Sequence, residues 1–226
     1  MTNLKPLLDF LRELRTNNNK PWFEAHRTQY TEARGLFEDF VQDIIVGIDA
    51  FDPLPGVMAA DCIFRINRDV RFSKDKSPYK DAMSASIGPG GRKSTRASYY
   101  LHVSPGHSMI AGGAHMPSKE QLASIRENLA AGAPGFHKLI AASDFRKYFG
   151  QVSGEKLKLA PKGYPKDHPQ IEWLKYTSLT AAHNLSDDDL LARNAAANVV
   201  KACKALKPFL DWVSEVAGPM TEGSGR

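Results

Sequence analysis

The apolar residues of this chain change their spacing twice, and that change restricts the fold more than any other feature. Near the start, Leu4, Leu7 and Leu11 lie three or four positions apart, as on one face of a helix. From about residue 61 to residue 113, apolar and polar residues alternate instead, which is typical of strands. Helical spacing returns after residue 116. Helices on both sides of a group of short strands predict an α+β fold.

The alternating region predicts a central, mostly antiparallel sheet of about 4–5 strands, with helices packed mainly on one face. Glycine- and proline-rich turns separate its segments. The predicted strands cover residues 61–67, 82–87, 98–104 and 107–113. A further strand near residues 176–182 is expected to complete the sheet.

A hairpin at Pro105 and Gly106 defines which side chains share a face of the sheet. Its geometry puts His102 opposite Met109, with Tyr100 on the same face. If the apolar side of each strand meets the helices, the polar side chains share the opposite face. That set comprises Arg65, Asn67, Ser84, Ser86, Tyr100 and His102. Such a group suits a ligand pocket, and an ordinary solvated sheet face is the alternative.

Two proline positions determine the predicted helix boundaries. Pro21 lies in the first turn of a long helix that continues to about Ile48, since a missing amide donor costs little there. Near the end of the chain, Ser186 caps a helix that runs to about residue 206. Pro208 is expected to open another helix.

No internal repeat or linker-like stretch divides the chain, so residues 1–217 are expected to form a single α+β domain. Residues 218–226 lack apolar content and are expected to be a flexible C-terminal tail.

Composition excludes several classes of protein. No run of eighteen apolar residues is present, which argues against a membrane span. The N-terminus lacks the features of a secretory signal, so a cytoplasmic location is expected. The two cysteines, Cys62 and Cys203, lie far apart inside apolar patterns, which suits neither a metal site nor a disulfide. The sequence indicates no metal and no cofactor, and it leaves the oligomeric state open.

Positive charge is concentrated in one segment. The chain carries 30 Lys and Arg against 25 Asp and Glu, a net charge of +5. Most of that excess lies in residues 65–80, a segment that we call the basic loop. Its cations are Arg65, Arg68, Arg71, Lys74, Lys76 and Lys80. Arginine forks and lysine point charges both suit carboxylates and phosphates. In the structural alternative, Asp69 and Asp75 pair with these cations while Phe72 and Tyr79 anchor the loop to the core.

A series of motifs in fixed order resembles a family of conserved hypothetical proteins from bacteria and fungi, the domain of unknown function 2461. The motifs are Asn18, Trp22-Phe23, the string over residues 64–80, Tyr99-Tyr100-Leu101-His102, Gly112-Gly113, Leu157-Lys158 with Pro161-Lys162-Gly163-Tyr164, and His168-Pro169. The resemblance spans about residues 4–215. It implies the fold and draws attention to the basic loop, but it carries over no catalytic role. His107 follows Pro105-Gly106 where the family usually has a small residue.

These observations lead to a functional hypothesis without an assigned reaction. The protein is expected to bind a small molecule that bears phosphate or carboxylate. The ligand-binding residues are predicted to be Arg65, Arg68, Arg71, Lys74, Lys76, Tyr79, Lys80, Tyr100 and His102. Catalytic residues stay unknown, and whether the protein is an enzyme stays open. The alternatives are a nucleic-acid-binding module that uses two basic stretches, the second at Lys156, Lys158, Lys162 and Lys166, or a ligand-free interaction protein.

Overall fold

The structure is a computed structural model that describes residues 2–219. The helices in this part of the chain are α1 Lys5–Thr16, α2 Lys20–Ala25, α3 Arg27–Asp49, α4 Ala59–Cys62, α5 Lys119–Ala130, α6 Pro134–Ala141, α7 Ser143–Phe149, α8 Ile171–Leu174, α9 Asp187–Leu191 and α10 Ala195–Ala217. The strands are β1 Met83–Ile87, β2 Tyr99–Val103, β3 Ser108–Ala114 and β4 Leu179–Leu185. A 3-10 turn covers Gly91–Lys93.

The four strands form one antiparallel sheet in the order β1-β2-β3-β4, which confirms the α+β class. The hairpin between β2 and β3 pairs His102 with Met109, in the predicted register. On the neighbouring strand, Ser84 lies beside His102 and Ser86 beside Tyr100. β4 overlaps the predicted last strand but begins and ends later, at Leu179–Leu185.

The predicted strand over residues 61–67 is wrong. Its first residues belong to α4, and the remainder makes only single bridges, such as Ile63 with Ala85. Ile63 and Ile66 are both buried whereas Phe64 is partly exposed. Two buried side chains three positions apart do not fit the two-residue period of a strand, so the chain turns away from β1. Phe64 therefore lies near Tyr100, with 6.4 Å between ring centres, on the polar side of the sheet.

Three helix boundaries also differ from prediction. The long helix after Pro21 is interrupted at His26, whose ring stacks on Trp22 at 4.0 Å. The helix that Ser186 caps ends at Leu191 instead of running to about residue 206. A separate helix, α10, begins at Ala195 and continues through Pro208, where a new helix was expected to begin. Proline in a helix interior costs about 3 kcal/mol. Burial of neighbouring residues such as Phe209 against the core offsets that cost.

The core lies between the apolar face of the sheet and the helices, with α10 packed directly on β3. Two glycines permit this close approach. A Cβ at Gly112 would lie 2.7 Å from the Leu210 side chain, and one at Gly113 would lie 2.9 Å from Phe209. Along β2, Tyr99 and Leu101 are buried on that face, whereas Tyr100 and His102 on the other are only partly covered.

Within residues 2–219, no helix has both the length and the apolar composition needed to cross a bilayer. The single-domain organisation stays a prediction. The predicted flexible tail falls largely on residues 220–226, outside the described residues.

Candidate functional site

A cavity of about 560 Å³ lies on the polar side of the sheet, where the basic loop meets α1 and the first two strands. β1 supplies Ser84, and β2 supplies Tyr100 and His102. These three side chains share the polar face because side chains alternate along a strand, so that their neighbours in the chain point into the core. The site therefore has a rigid floor and a wall formed by a loop.

Asn18 holds the end of the basic loop against the first helices. Its side-chain amide donates to the main-chain oxygen of Tyr79 at 2.9 Å, and its oxygen accepts from the Tyr79 N–H at 3.1 Å. The Tyr79 ring stacks on Phe23 with 3.9 Å between centres. Burial raises the pKa of the Tyr79 hydroxyl. Tyr79 therefore anchors the loop to the core, as the structural alternative expects.

Pairing within the loop also positions Lys80. The N–H of Arg68 donates to Pro78 O at 2.9 Å, and the N–H of Lys80 donates to Ile66 O at 2.8 Å. These two bonds join the beginning and end of the basic loop like a short hairpin. Arg68 and Lys80 are thereby both placed at the cavity.

Arg68 is neutralised inside the loop. Its guanidinium forms a short ion pair with Asp75, which also accepts from the Ser77 hydroxyl at 2.7 Å. Hydrogen bonds from Ser77 first, and from Arg68 second, hold the pKa of Asp75 well below its usual range. The carboxylate therefore stays charged and occupies the fork that would otherwise hold an anion.

The cations in the middle of the basic loop, Arg71, Lys74 and Lys76, lie outside the cavity. Arg71 pairs with Asp69 at 2.6 Å, and this hydrogen bond lowers the pKa of Asp69 to about 2. Lys76 donates to the main-chain oxygen of Val70 at 2.9 Å. Phe72 is 95% exposed, so it does not anchor the loop as the structural alternative supposed.

Arg15, at the end of α1, closes another side of the cavity. Its Nε donates to Asp81 at 2.7 Å, and its Nη2 donates to the Ser104 hydroxyl at 3.0 Å. Like Arg68, this arginine already has a carboxylate partner.

Lys80 differs from both arginines. Within residues 2–219 it is the one cation of the cavity wall that takes part in no ion pair. Its ammonium lies 5.8 Å from the centre of the Phe64 ring. Burial, and secondarily the nearby charge of Arg65, lower the pKa of Lys80. The wall thus carries three cations and two carboxylates, and the uncompensated charge is that of Lys80.

Tyr100 and His102 place a hydroxyl and an imidazole side by side at the cavity. The Tyr100 hydroxyl lies 3.5 Å from Nδ1 of His102. Burial lowers the pKa of His102, an effect that Asp81 opposes and His107 reinforces. His102 is therefore neutral at pH 7 and can accept a proton.

A family profile described as "Conserved hypothetical protein (DUF2461)" matches residues 6–212, nearly the whole chain. The chain belongs to the DUF2461 family. Comparisons with curated proteins and with solved structures found no match. The family description names no activity, so the geometry of this DUF2461 protein has to support any functional statement.

The structure brings together about half of the predicted site residues. Those that line the cavity are Arg68, Tyr79, Lys80, Tyr100 and His102. Those that do not are Arg65, Arg71, Lys74 and Lys76. Sequence reasoning missed Arg15, Asn18 and Asp81 as wall residues. Asn18 carried a signal, since it stands among the family motifs of this DUF2461 chain, whereas Arg15 and Asp81 carried none.

The prediction of a metal-free protein remains a prediction. In the described part of the chain, no three His, Cys, Asp or Glu side chains are grouped to hold a metal ion. Cys62 and Cys203 are both free and buried. Elemental analysis of the purified protein checks this directly, and a stoichiometric metal would contradict it.

Proposed function

We propose that the protein binds a small molecule bearing a carboxylate or phosphate group in the cavity beside the basic loop. The main support for this proposal is the position of Lys80. This half-buried cation has no ion-pair partner in residues 2–219 and lines a cavity of about 560 Å³. Ligand cavities commonly measure about 300–1,000 Å³. Ser84, Tyr100 and His102 add hydrogen-bonding groups that would orient the rest of the ligand.

The ion pairs that Arg68 and Arg71 form with aspartates reduce the number of cations that can hold the ligand. Both arginines already hold carboxylates of the loop, as the structural alternative expects. An incoming anion would have to compete with Asp75 for Arg68, and it would not reach Arg71 from the cavity. Lys80 is therefore the primary group, and Arg68 is secondary.

Thermal unfolding with anions tests this proposal. Inorganic phosphate, sulfate or citrate should raise the Tm of the wild-type protein, because a ligand of the folded state stabilises it by mass action. The shift should decrease at high salt, which screens charge over about 8–10 Å. Lys80→Met should lose the shift, whereas Lys74→Met, an exposed residue of the same loop, should keep it. Equal responses of the two variants would refute the cavity as the site.

Phe72 supports a second candidate function, the binding of single-stranded nucleic acid. It is almost fully exposed, and the Arg71 guanidinium lies 5.9 Å from its ring centre. Base stacking on an exposed aromatic beside cations is a common mode of single-strand binding. Fluorescence anisotropy with an oligothymidine tests it: Phe72→Ser should weaken binding, and no measurable binding by the wild type removes this candidate.

A cytoplasmic location remains part of the proposal. Two free, buried thiols suit a reducing compartment.

A further inference from the structure

Lys80 has features that anion binding alone does not require. It is half-buried, it lines the cavity, and it has no carboxylate partner within residues 2–219. Its ammonium lies near the Phe64 ring, whose centre is 6.4 Å from that of Tyr100. The side chain is thus partly buried and lies beside the Phe64 ring at the polar face of the sheet.

The surroundings of Lys80 make its ammonium form less favourable than that of an exposed lysine. Burial penalises the ammonium form, and the charge of Arg65 adds to that penalty, so the pKa of Lys80 is lowered. A lysine amine attacks carbon only when it is unprotonated, and desolvation next to another cation is a known means of activating it. The exposed lysines of the same loop, Lys74 and Lys76, lie outside the cavity.

Groups that donate and accept protons border the same cavity. The Tyr100 hydroxyl lies 3.5 Å from Nδ1 of His102. Ser84 lies beside His102 on the neighbouring strand. Addition of an amine to a carbonyl needs a proton at the carbonyl oxygen, and loss of water needs a second one. The Tyr100 hydroxyl and the His102 imidazole are the two groups placed to transfer them.

We propose that Lys80 forms an imine with an aldehyde or ketone that bears a carboxylate or phosphate group, which is attracted first by the Lys80 ammonium and then by the protonated imine that replaces it. This inference rests on the proposed function and specifies its ligand class. The neutral Nζ attacks the carbonyl carbon, a C–N bond forms, and the carbonyl oxygen takes a proton to give a carbinolamine. The nitrogen then gives one proton to the hydroxyl, relayed by the Tyr100 hydroxyl or the His102 imidazole, and the hydroxyl departs as water to leave a protonated imine. The overall change converts an ammonium and a carbonyl compound into the iminium ion and one water molecule.

Borohydride trapping tests the inference. The full-length protein is incubated near pH 7.5 with glyoxylate, an aldehyde that carries a carboxylate, and reduced with sodium borohydride. Peptide mass spectrometry then locates each carboxymethylated lysine. We expect modification of Lys80 severalfold faster than that of Lys74, Lys76 or Lys93, with the preference lost in urea. Labelling of Lys80 at the rate of the exposed lysines would overturn the inference.

Matched variants and ligands separate this inference from the proposed function. Lys80→Arg keeps a cation but has no nucleophilic amine, so it should lose the selective adduct, while Lys76→Arg should retain it. Acetaldehyde, which has no anionic group, should label Lys80 more slowly than glyoxylate, and equal rates would refute the anionic requirement. If phosphate raises the Tm of the wild type but glyoxylate gives no Lys80 adduct, the imine is refuted and anion binding stands. If neither response is seen, both proposals fall.

Discussion

Replacement of Asn18 by alanine tests how the basic loop is held in place. The substitution removes two hydrogen bonds, of 2.9 and 3.1 Å, to the main chain of Tyr79. Each partly buried bond of this kind contributes about 0.5–1.5 kcal/mol, so the expected loss is about 1–3 kcal/mol. For a chain of this size, a loss of about 2 kcal/mol lowers the Tm by roughly 4–8 °C.

The same substitution should also disturb the cavity. Lys80 directly follows Tyr79, so a loop released at Tyr79 no longer fixes the position of the ammonium. We therefore expect Asn18→Ala to reduce both stability and the phosphate-induced rise in Tm. Urea unfolding measures the first effect, and thermal unfolding with and without phosphate measures the second.

Asn17→Ala is the matched control. Its side chain makes exposed contacts, to the main chain of Glu13 at 2.9 Å and to Thr16 at 3.0 Å. Surface substitutions of this kind change stability by about 0.5 kcal/mol or less. If Asn18→Ala is no more destabilising than Asn17→Ala, the loop is not held by the Tyr79 main chain and the reasoning is wrong.

Three further predictions concern packing, backbone and pH. Phe23→Ala should cost about 3–5 kcal/mol in urea unfolding, because that ring is buried. Trp22→Ala should cost less, because the Trp22 ring is only partly buried, and equal losses would contradict this. Gly113→Ala should destabilise the protein by about 1–3 kcal/mol more than Gly112→Ala. Gly113 has φ +131°, and a Cβ there would collide with a main-chain oxygen of β4. A Cβ at Gly112 would meet mainly the flexible ends of leucine side chains. Because the pKa of folded His102 is below 6.5, the unfolded state binds more protons, so stability should increase as the pH rises to about 6.5. His102→Gln should flatten that rise, and an NMR titration that finds the His102 pKa at or above 6.5 would refute the premise.

The sequence by itself determined the class of fold and the register of its central hairpin. Both depend on local patterns, namely the change from helical to alternating spacing and the two-residue turn at Pro105 and Gly106. Side-chain alternation along β2 then placed Tyr100 and His102 on one face, and the paired strands preserve that arrangement. The concentration of cations in residues 65–80 likewise directed attention to the side of the sheet on which the cavity lies.

Only the tertiary structure decided where regular elements end and which charges remain uncompensated. Residues 61–67 alternate like a strand, but burial of both Ile63 and Ile66 outweighs that local preference. Pro208 similarly remains inside α10, since packing of the helix on β3 offsets the lost hydrogen bond. The six cations of the basic loop look equivalent in the sequence. Their difference arises in three dimensions, because Asp75 pairs with Arg68 and Asp69 pairs with Arg71, whereas Lys80 takes part in no ion pair within residues 2–219 and lies near the Phe64 ring.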